Sequence, residues 1–313
     1  MSQPMEPTLA ALPNPVLRYF AATRPAFLSV TFVGVLLGLA SAAAAGLAVN
    51  PASATLTMFF ALVAGAGANV INDYYDACSG CDAINQDRVF PFTGGSRFIQ
   101  NGILSQRATA VFGFALLASV IPAGLWLTAH SAPGLIWIGL LGLIVGLEYS
   151  APPLKLQSRG LGEFCITIGW LLVVVGTDFV QRHDFAFAPV AAGLAFALLV
   201  ANVLYINQFP DVRADAQSDK RTVVVRFGVE QARWGYALIV ALTYGWVVAM
   251  TAIGHLPTLA LISLLSMPAS IVALRDLWQH AGVPSRLTFA IKMTILAACL
   301  HGLLMAGALV VAH

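Results

Sequence analysis

Charge is what this sequence has least of. Of 313 residues, 16 are Lys or Arg and 14 are Asp or Glu, so 10% are charged, while 59% are hydrophobic. Water-soluble domains carry about 25% charged residues. With a mean hydropathy of +0.83, the chain calls for a non-aqueous solvent, which excludes an ordinary soluble globular protein. A net charge of +2 offers no basic surface for a phosphate backbone, so no nucleic-acid partner is expected. Cysteine is scarce too. Cys78, Cys81, Cys165 and Cys299 are too few for a disulfide framework. The pair Cys78-Ser-Gly-Cys81 has neither the second pair nor the histidine that would complete a zinc site. The six histidines (His130, His183, His255, His280, His301 and His313) are dispersed, which argues against haem or a histidine metal cluster. No polar stretch is long enough for a separate soluble domain. Residues 1–25 read as a cytoplasmic tail without the apolar core of a signal peptide, and residues 26–313 as a single transmembrane domain.

Long apolar runs are abundant. A bilayer core of about 30 Å needs roughly 20 apolar residues per helix. Nine runs approach this, near 26–48, 53–75, 108–129, 133–150, 161–181, 187–208, 230–253, 256–275 and 288–311. Turn residues such as Asn50-Pro51, Pro152-Pro153 and Pro257 separate them. The expected fold is therefore an all-α membrane protein of about nine transmembrane helices around a central cavity. With the N-terminus inside and the C-terminus outside, 15 of the 16 basic residues fall on the inner side and only Arg182 on the other. The positive-inside rule favours that orientation. Both long polar loops, 76–107 and 209–229, then lie inside, as in a protein of the bacterial inner membrane whose chemistry faces the cytoplasm.

The scarce acids are not spread evenly. Seven of the 14 fall in two short segments. The first runs Asn69-Val-Ile-Asn72-Asp73-Tyr-Tyr-Asp76 to Asp82 and Asp87. The second runs Asn207-Gln208-Phe-Pro-Asp211 to Asp215 and Asp219. On a helix, Asn69, Asn72, Asp73 and Asp76 share one face, and Asp211, Asp215 and Asp219 repeat every fourth residue. Crowded carboxylates near a membrane repel one another and are poorly solvated, and a divalent cation resolves the conflict. Oxygen-only ligands suit Mg²⁺, usually held by one or two carboxylates together with substrate phosphates. The basic residues Arg88, Arg97, Lys155, Arg159, Lys220 and Arg221 lie beside the acids. In Thr93-Gly94-Gly95-Ser96-Arg97, paired glycines let backbone N–H groups approach an anion.

Together these segments resemble the UbiA superfamily of intramembrane aromatic prenyltransferases. Asn72, Asp73 and Asp76 match its first motif, N-D-x-x-D. The usual third Asp, four residues on, is Gly80 here, with Asp82 in its place. Asp211 and Asp215 match the second motif, D-x-x-x-D, followed by Asp219-Lys220-Arg221-Thr222. Tyr149-Ser-Ala-Pro152-Pro153-Leu-Lys155 and Arg24-Pro25 are similar to family segments as well. Within the superfamily, Asn72–Asp76 with Gly80 and Asp82, then Thr93–Arg97, look most like the branch that prenylates 1,4-dihydroxy-2-naphthoate in menaquinone synthesis. Phe90-Pro91-Phe92 departs from that branch, where a Gly-Pro type turn is expected.

The resemblance implies the following chemistry. Asp73, Asp76, Asp82, Asp211 and Asp215 would hold Mg²⁺ on the diphosphate of a polyprenyl donor. Lys155 would act with them on the leaving group, and Asn72, Arg88, Arg97, Tyr149, Lys220 and Asn207 would contact substrate. The partners are a polyprenyl diphosphate, an aromatic acceptor and the lipid bilayer. An allylic cation must be kept from water by an apolar, π-rich wall, for which Tyr149, Tyr205, Phe179 and Trp170 are candidates. Glu148 and Glu163, flanking the Lys155 loop, read as structural ion-pair partners. Two other readings compete. One is a prenyltransferase of the same superfamily for another aromatic acceptor such as 4-hydroxybenzoate. The other is an ion-coupled secondary transporter, which predicts isolated carboxylates at mid-helix, unlike the clusters seen here.

Overall fold

The computed structural model describes residues 5–313, so residues 1–4 of the expected tail lie outside the described residues. A short helix, α1 (Pro15–Ala22), leads into α2 (Pro25–Ala44) and α3 (Pro51–Ser79). A single turn, α4 (Cys81–Ile84), opens a long loop before α5 (Gln106–His130) and α6 (Leu135–Glu148). Then follow α7 (Gly162–Arg182), α8 (Ala188–Gln217), α9 (Val223–Ala252), α10 (Met267–His280) and α11 (Thr288–Val311). The described residues form no strand.

Local signals set the helix ends. Asn50 caps α3 by accepting from the Ala52 and Ser53 amides, with Pro51 at the first helical position, where its missing N–H costs nothing. Gly80 ends α3 in the left-handed conformation at φ +77°, which glycine adopts without a Cβ penalty. Gly228, at φ +75°, breaks α9 near its start, so its membrane segment begins close to the expected residue 230.

Among the described residues eight helices are long and apolar enough to cross a membrane, the tenth counted together with the preceding 3₁₀ turns from Thr258. The ninth apolar run is shorter than expected. The helix α6 has 14 residues, about 21 Å at 1.5 Å per residue, short of the bilayer core. It starts only after the Ser131–Gly134 turn and stops before Pro152-Pro153. The chain is an integral membrane protein. Its outward faces carry large apolar side chains such as Phe59, Trp137, Phe164 and Trp234, which only lipid would tolerate in such number.

The most enclosed helix is α8. Ala191, Ala192, Gly193, Ala195 and Ala197 are buried along it, and these small residues let α7, α9, α11 and α2 pack close on it. Glycine also sets the α2–α7 approach. A Cβ on Gly38 would stand 2.5 Å from the Val174 carbonyl oxygen and 2.6 Å from Thr177 Cβ. Gly38→Leu is therefore expected to force the two helices apart at a cost of about 1–3 kcal/mol, read as a lowered melting temperature in detergent. An unchanged melting temperature would refute this reading of the contact.

Candidate active site

The two acidic segments meet at one end of the bundle. The last turns of α3 supply Asn72, Asp73 and Asp76, α4 supplies Asp82, and the last turns of α8 supply Asp211 and Asp215. All except Asp73 line one polar cavity of about 110 Å³, and Asp73 sits at its edge beside Arg24, 3.9 Å away. Asp73, Asp76, Asp82 and Asp215 are buried. The helical phase read from the sequence explains the convergence, since each set lies on the inward face of its helix.

Each carboxylate is held by donors. Asp73 Oδ1 accepts the Ser96 amide at 3.2 Å. Asp76 takes Lys220 Nζ at 2.8 Å on Oδ1 and Asn72 Nδ2 at 3.2 Å on Oδ2. Asp211 accepts Asn85 Nδ2 at 2.6 Å. Asp215 accepts the Cys81 thiol at 3.3 Å, and Lys220 Nζ lies 3.8 Å from it. Burial opposes the charge of Lys220, yet Asp76 and Asp215 hold its ammonium well above the ordinary lysine range. Burial, then the charges of Asp76 and Asp73, push Asp82 up to about 8 in the metal-free chain. Burial also pushes the Cys81 thiol up, keeping it a donor to Asp215.

Gly94 and Gly95 turn the chain over this cluster at φ +74° and +73°. A Cβ on Gly95 would collide with Asp82 Oδ2 and stand 3.2 Å from Asp73 Oδ1, so this close approach requires glycine. The Ser96 amide is taken by Asp73, an anion of the protein itself, while Thr93, Gly94 and Gly95 line the polar cavity. Arg97 is buried and donates to the Asp82 carbonyl. Arg88 donates to Glu6 at 2.6 Å and to the Asn85 carbonyl at 2.6 Å.

Five carboxylates surround the cavity, and the basic residues on its wall are Lys220 and Arg24. Such a surplus of buried oxygen anions fits a hard divalent cation. Among the described residues no three Asp, Glu, His or Cys side chains close on a single point. Protein groups alone therefore offer Mg²⁺ one or two carboxylates at a time, which is the arrangement that substrate phosphates complete.

A second cavity, apolar and about 400 Å³, lies deeper among α2, α3, α6, α7 and α8, with Phe27, Ile138, Gly142, Trp170 and Val200 on its wall. Arg24, Asn72, Tyr149, Leu204 and Asn207 line both cavities and so form the junction. There the Phe92 carbonyl accepts Arg24 Nη2 at 3.4 Å and Asn207 Nδ2 at 3.5 Å. Asn207 Oδ1 and the indole N–H of Trp170 are buried without a partner.

Several sequence expectations change. Asp219 leaves the i+4 series because α8 ends at Gln217, and its side chain is exposed at φ +58°. Lys155, exposed on the loop after α6, lines neither of these cavities, because the Pro152-Pro153 turn carries it to the outer surface. Glu148 and Glu163 do not pair with it. Glu148 accepts the Leu154 amide, and Glu163 accepts Gln208. Tyr205 and Phe179 are core residues rather than cavity wall. Tyr205 donates to the Ala232 carbonyl, and Phe179 packs with Leu127 and Ile138. Asp87 pairs with Arg213 at the surface, away from the cavity. Asn85, Gln157, Gln208 and Arg24 line the polar cavity and were not singled out as site residues. The phase of Asp211 and Asp215 already pointed to Gln208, one turn earlier on the same face. Nothing in the sequence pointed to Asn85, whose partner lies 126 residues away.

A buried carboxylate cluster beside an apolar intramembrane cavity defines the class, a membrane protein with an acidic polar site set against an apolar chamber. The UbiA prenyltransferase family model matches residues 16–297, and the chain belongs to that family: it is a prenyltransferase. It is 26% identical over 302 residues to a 1,4-dihydroxy-2-naphthoate octaprenyltransferase of Bacillus subtilis, covering 93% of this chain and 91% of that one. It is 26% identical to a 2-carboxy-1,4-naphthoquinone phytyltransferase of Synechocystis, covering 98% and 96%. A UbiA homologue from Archaeoglobus fulgidus, solved with DMAPP and Mg²⁺, superposes with a TM-score of 0.66 at 18% identity over 94% of this chain and 99% of that one, which shows the shared fold. The transporter alternative falls with the family assignment. The carboxylate buried elsewhere in a span, Asp178, is paired with Arg182 at 2.6 Å.

Proposed function

We propose that the chain moves a polyprenyl group from its diphosphate to 1,4-dihydroxy-2-naphthoate, with loss of CO₂, in a Mg²⁺-dependent reaction on the cytoplasmic side of a bacterial inner membrane. The observation that carries this reading is the junction, where the acidic polar cavity and the apolar one adjoin and share Arg24, Asn72, Tyr149, Leu204 and Asn207 on their walls. A prenyl diphosphate has the same two-part character, an oxygen-rich anion on a hydrocarbon chain. The relatives named for naphthoate substrates support the acceptor.

Asp73, Asp76 and Asp82 on one side, and Asp211 and Asp215 on the other, would hold Mg²⁺, which supplies charge neutralisation on the diphosphate oxygens as the C–O bond breaks. Lys220 adds a fixed positive charge beside Asp76, already desolvated and so needing no reorganisation. Asn72, bound to Asp76 and to Ser150 Oγ at 3.0 Å, orients that carboxylate. The apolar cavity keeps water from the developing allylic cation, and the Tyr149 and Trp170 rings on its wall offer π faces to it. Bond making joins the allylic carbon to the naphthoate ring. The bonding pair of the departing carboxylate returns to the ring, and the diphosphate leaves with the electrons of the broken C–O bond. Asn207 Oδ1, unpartnered at the junction, would accept a hydrogen bond from a ring hydroxyl.

Purified protein in detergent is tested with Mg²⁺, a polyprenyl diphosphate and a panel of aromatic acids, scoring released diphosphate and prenylated product. Product from dihydroxynaphthoate, lost in EDTA, is expected. Product from a different acid alone would overturn the acceptor, and the absence of Mg²⁺-dependent turnover with every pair would overturn the proposed reaction.

A further inference from the structure

A third cavity, about 490 Å³, lies on the other side of the Asp76–Lys220 pair. It shares Asp76, Gln157 and Lys220 with the polar cavity, so a single layer of side chains divides the two. Its remaining charged lining is strongly one-sided: Lys155, Arg159, Arg221 and Arg226 against Asp219. The positive-inside rule accounts for basic residues at this end of the bundle. It does not account for how they are held.

Two of the four, Arg159 and Arg226, are held by carbonyl oxygens rather than by acids. Arg226 donates to the Arg221 carbonyl at 2.8 Å and to the Arg159 carbonyl at 3.0 Å. Arg159 donates to the Pro153 carbonyl at 3.1 Å. The Arg221 amide donates to the Ser158 carbonyl at 2.9 Å, tying the loop after α6 to the loop after α8. Carbonyls orient a guanidinium without cancelling its charge. Arg221 has one exposed contact, with Asp219 at 3.4 Å, and Lys155 has no ion-pair partner among the described residues. The result is a solvent-open chamber lined by four cations, of which Arg159 and Arg226 are oriented and Arg221 alone has an acidic contact among the described residues, beside a pocket of buried carboxyls. Guanidinium groups match phosphate oxygens in geometry as well as in charge.

We propose that this chamber binds a diphosphate group through Lys155, Arg159, Arg221 and Arg226 without metal. It is a staging site separated from the Mg²⁺-dependent cavity by Asp76, Gln157 and Lys220. The proposal rests on the prenyltransferase reading for its ligand. The diphosphate could come from either of two sources, the inorganic product on departure or the head group of the donor on arrival. Without Mg²⁺ the carboxylates of the inner cavity repel diphosphate, so binding measured in EDTA reports the chamber alone.

The test is equilibrium binding of radiolabelled inorganic diphosphate to the full chain in detergent, in EDTA at low ionic strength. Saturable binding that weakens with added salt is expected. Lys155→Gln combined with Arg221→Gln is expected to weaken it about tenfold or more. Both side chains are exposed and neither holds a backbone carbonyl, so an unchanged melting temperature confirms that the variant is folded. Lys155→Arg is the charge-preserving control and should retain binding. In competition, inorganic diphosphate displacing label better than dimethylallyl diphosphate assigns the chamber to departure, and the reverse order assigns it to arrival. No saturable binding in EDTA, binding unaltered in the double variant, or inorganic phosphate binding as tightly as diphosphate would each overturn the proposal. Failure of the Mg²⁺-dependent turnover assay would leave binding in EDTA intact, so the two readings fail separately.

Discussion

Asp76→Asn and Asp215→Asn are each expected to lower prenyl transfer by about 10²–10³-fold without lowering the melting temperature in EDTA. The two halves of that result have one cause. Both side chains face the polar cavity and supply negative oxygen where a cation-bound diphosphate would sit. Asparagine keeps the shape and one carbonyl oxygen, so Lys220 Nζ still finds an acceptor where Asp76 now holds it at 2.8 Å. What disappears is one negative charge from a cluster of five carboxyls whose nearest cations are Lys220 and Arg24. In the metal-free protein that charge is opposed by the neighbouring carboxyls and offset by Lys220, so its loss leaves stability nearly unchanged. With metal and substrate present it contributes to binding the charge that develops on the leaving group. Turnover and thermal unfolding measured on the same preparations check both halves. A variant that loses activity and stability together would show the aspartates to be structural, and one that keeps full activity would remove them from the chemistry.

Gly95→Ala should be nearly as damaging to activity, although the side chain it lacks touches no substrate. At φ +73° an alanine is strained, which costs about 1–2 kcal/mol. Its Cβ would also strike Asp82 Oδ2. Asp82 is packed under the loop, with Arg97 on its carbonyl and Gln100 Nε2 3.5 Å from its carboxylate, so displacing it disturbs the carboxyl arrangement it shares with Asp73 and Asp76. Displacing a ligating group by about 1 Å can cost about 10²-fold in rate. Gly94→Ala is the comparison. Its Cβ would meet Arg88 Cβ at 2.6 Å and Cδ at 2.9 Å, away from the acids, so it should share the stability loss but retain more activity. Equal loss of activity in the two variants would refute the role given to the Gly95–Asp82 contact.

Two kinds of information separate in this protein. Composition determined the solvent, since a chain with 10% charge and long apolar runs can bury its backbone only as helices in lipid. Helical phase determined which face of α3 carries Asn72, Asp73 and Asp76, and which face of α8 carries Asp211 and Asp215. The concentration of half the acids in two segments already implied a shared cation. Periodicity misled at Asp219, where the helix had stopped, and the motif reading placed Lys155 in a site from which a proline turn carries it outward. Neither event has a repeating signature.

Tertiary structure alone decided which residues from distant segments meet. Asn85 on Asp211, Cys81 on Asp215, Glu6 on Arg88 and Arg24 beside Asp73 join positions far apart in sequence. Spacing cannot encode such pairs, because they depend on how α2, α3 and α8 pack. The same holds for the aromatic residues. Trp170 reached the cavity while Tyr205 and Phe179 went into the core, because in an apolar medium an aromatic ring is equally at home against lipid, helix or cavity. Hydrophobicity fixed that these helices lie in the membrane, and close packing of small residues around α8 fixed which of their faces enclose the site.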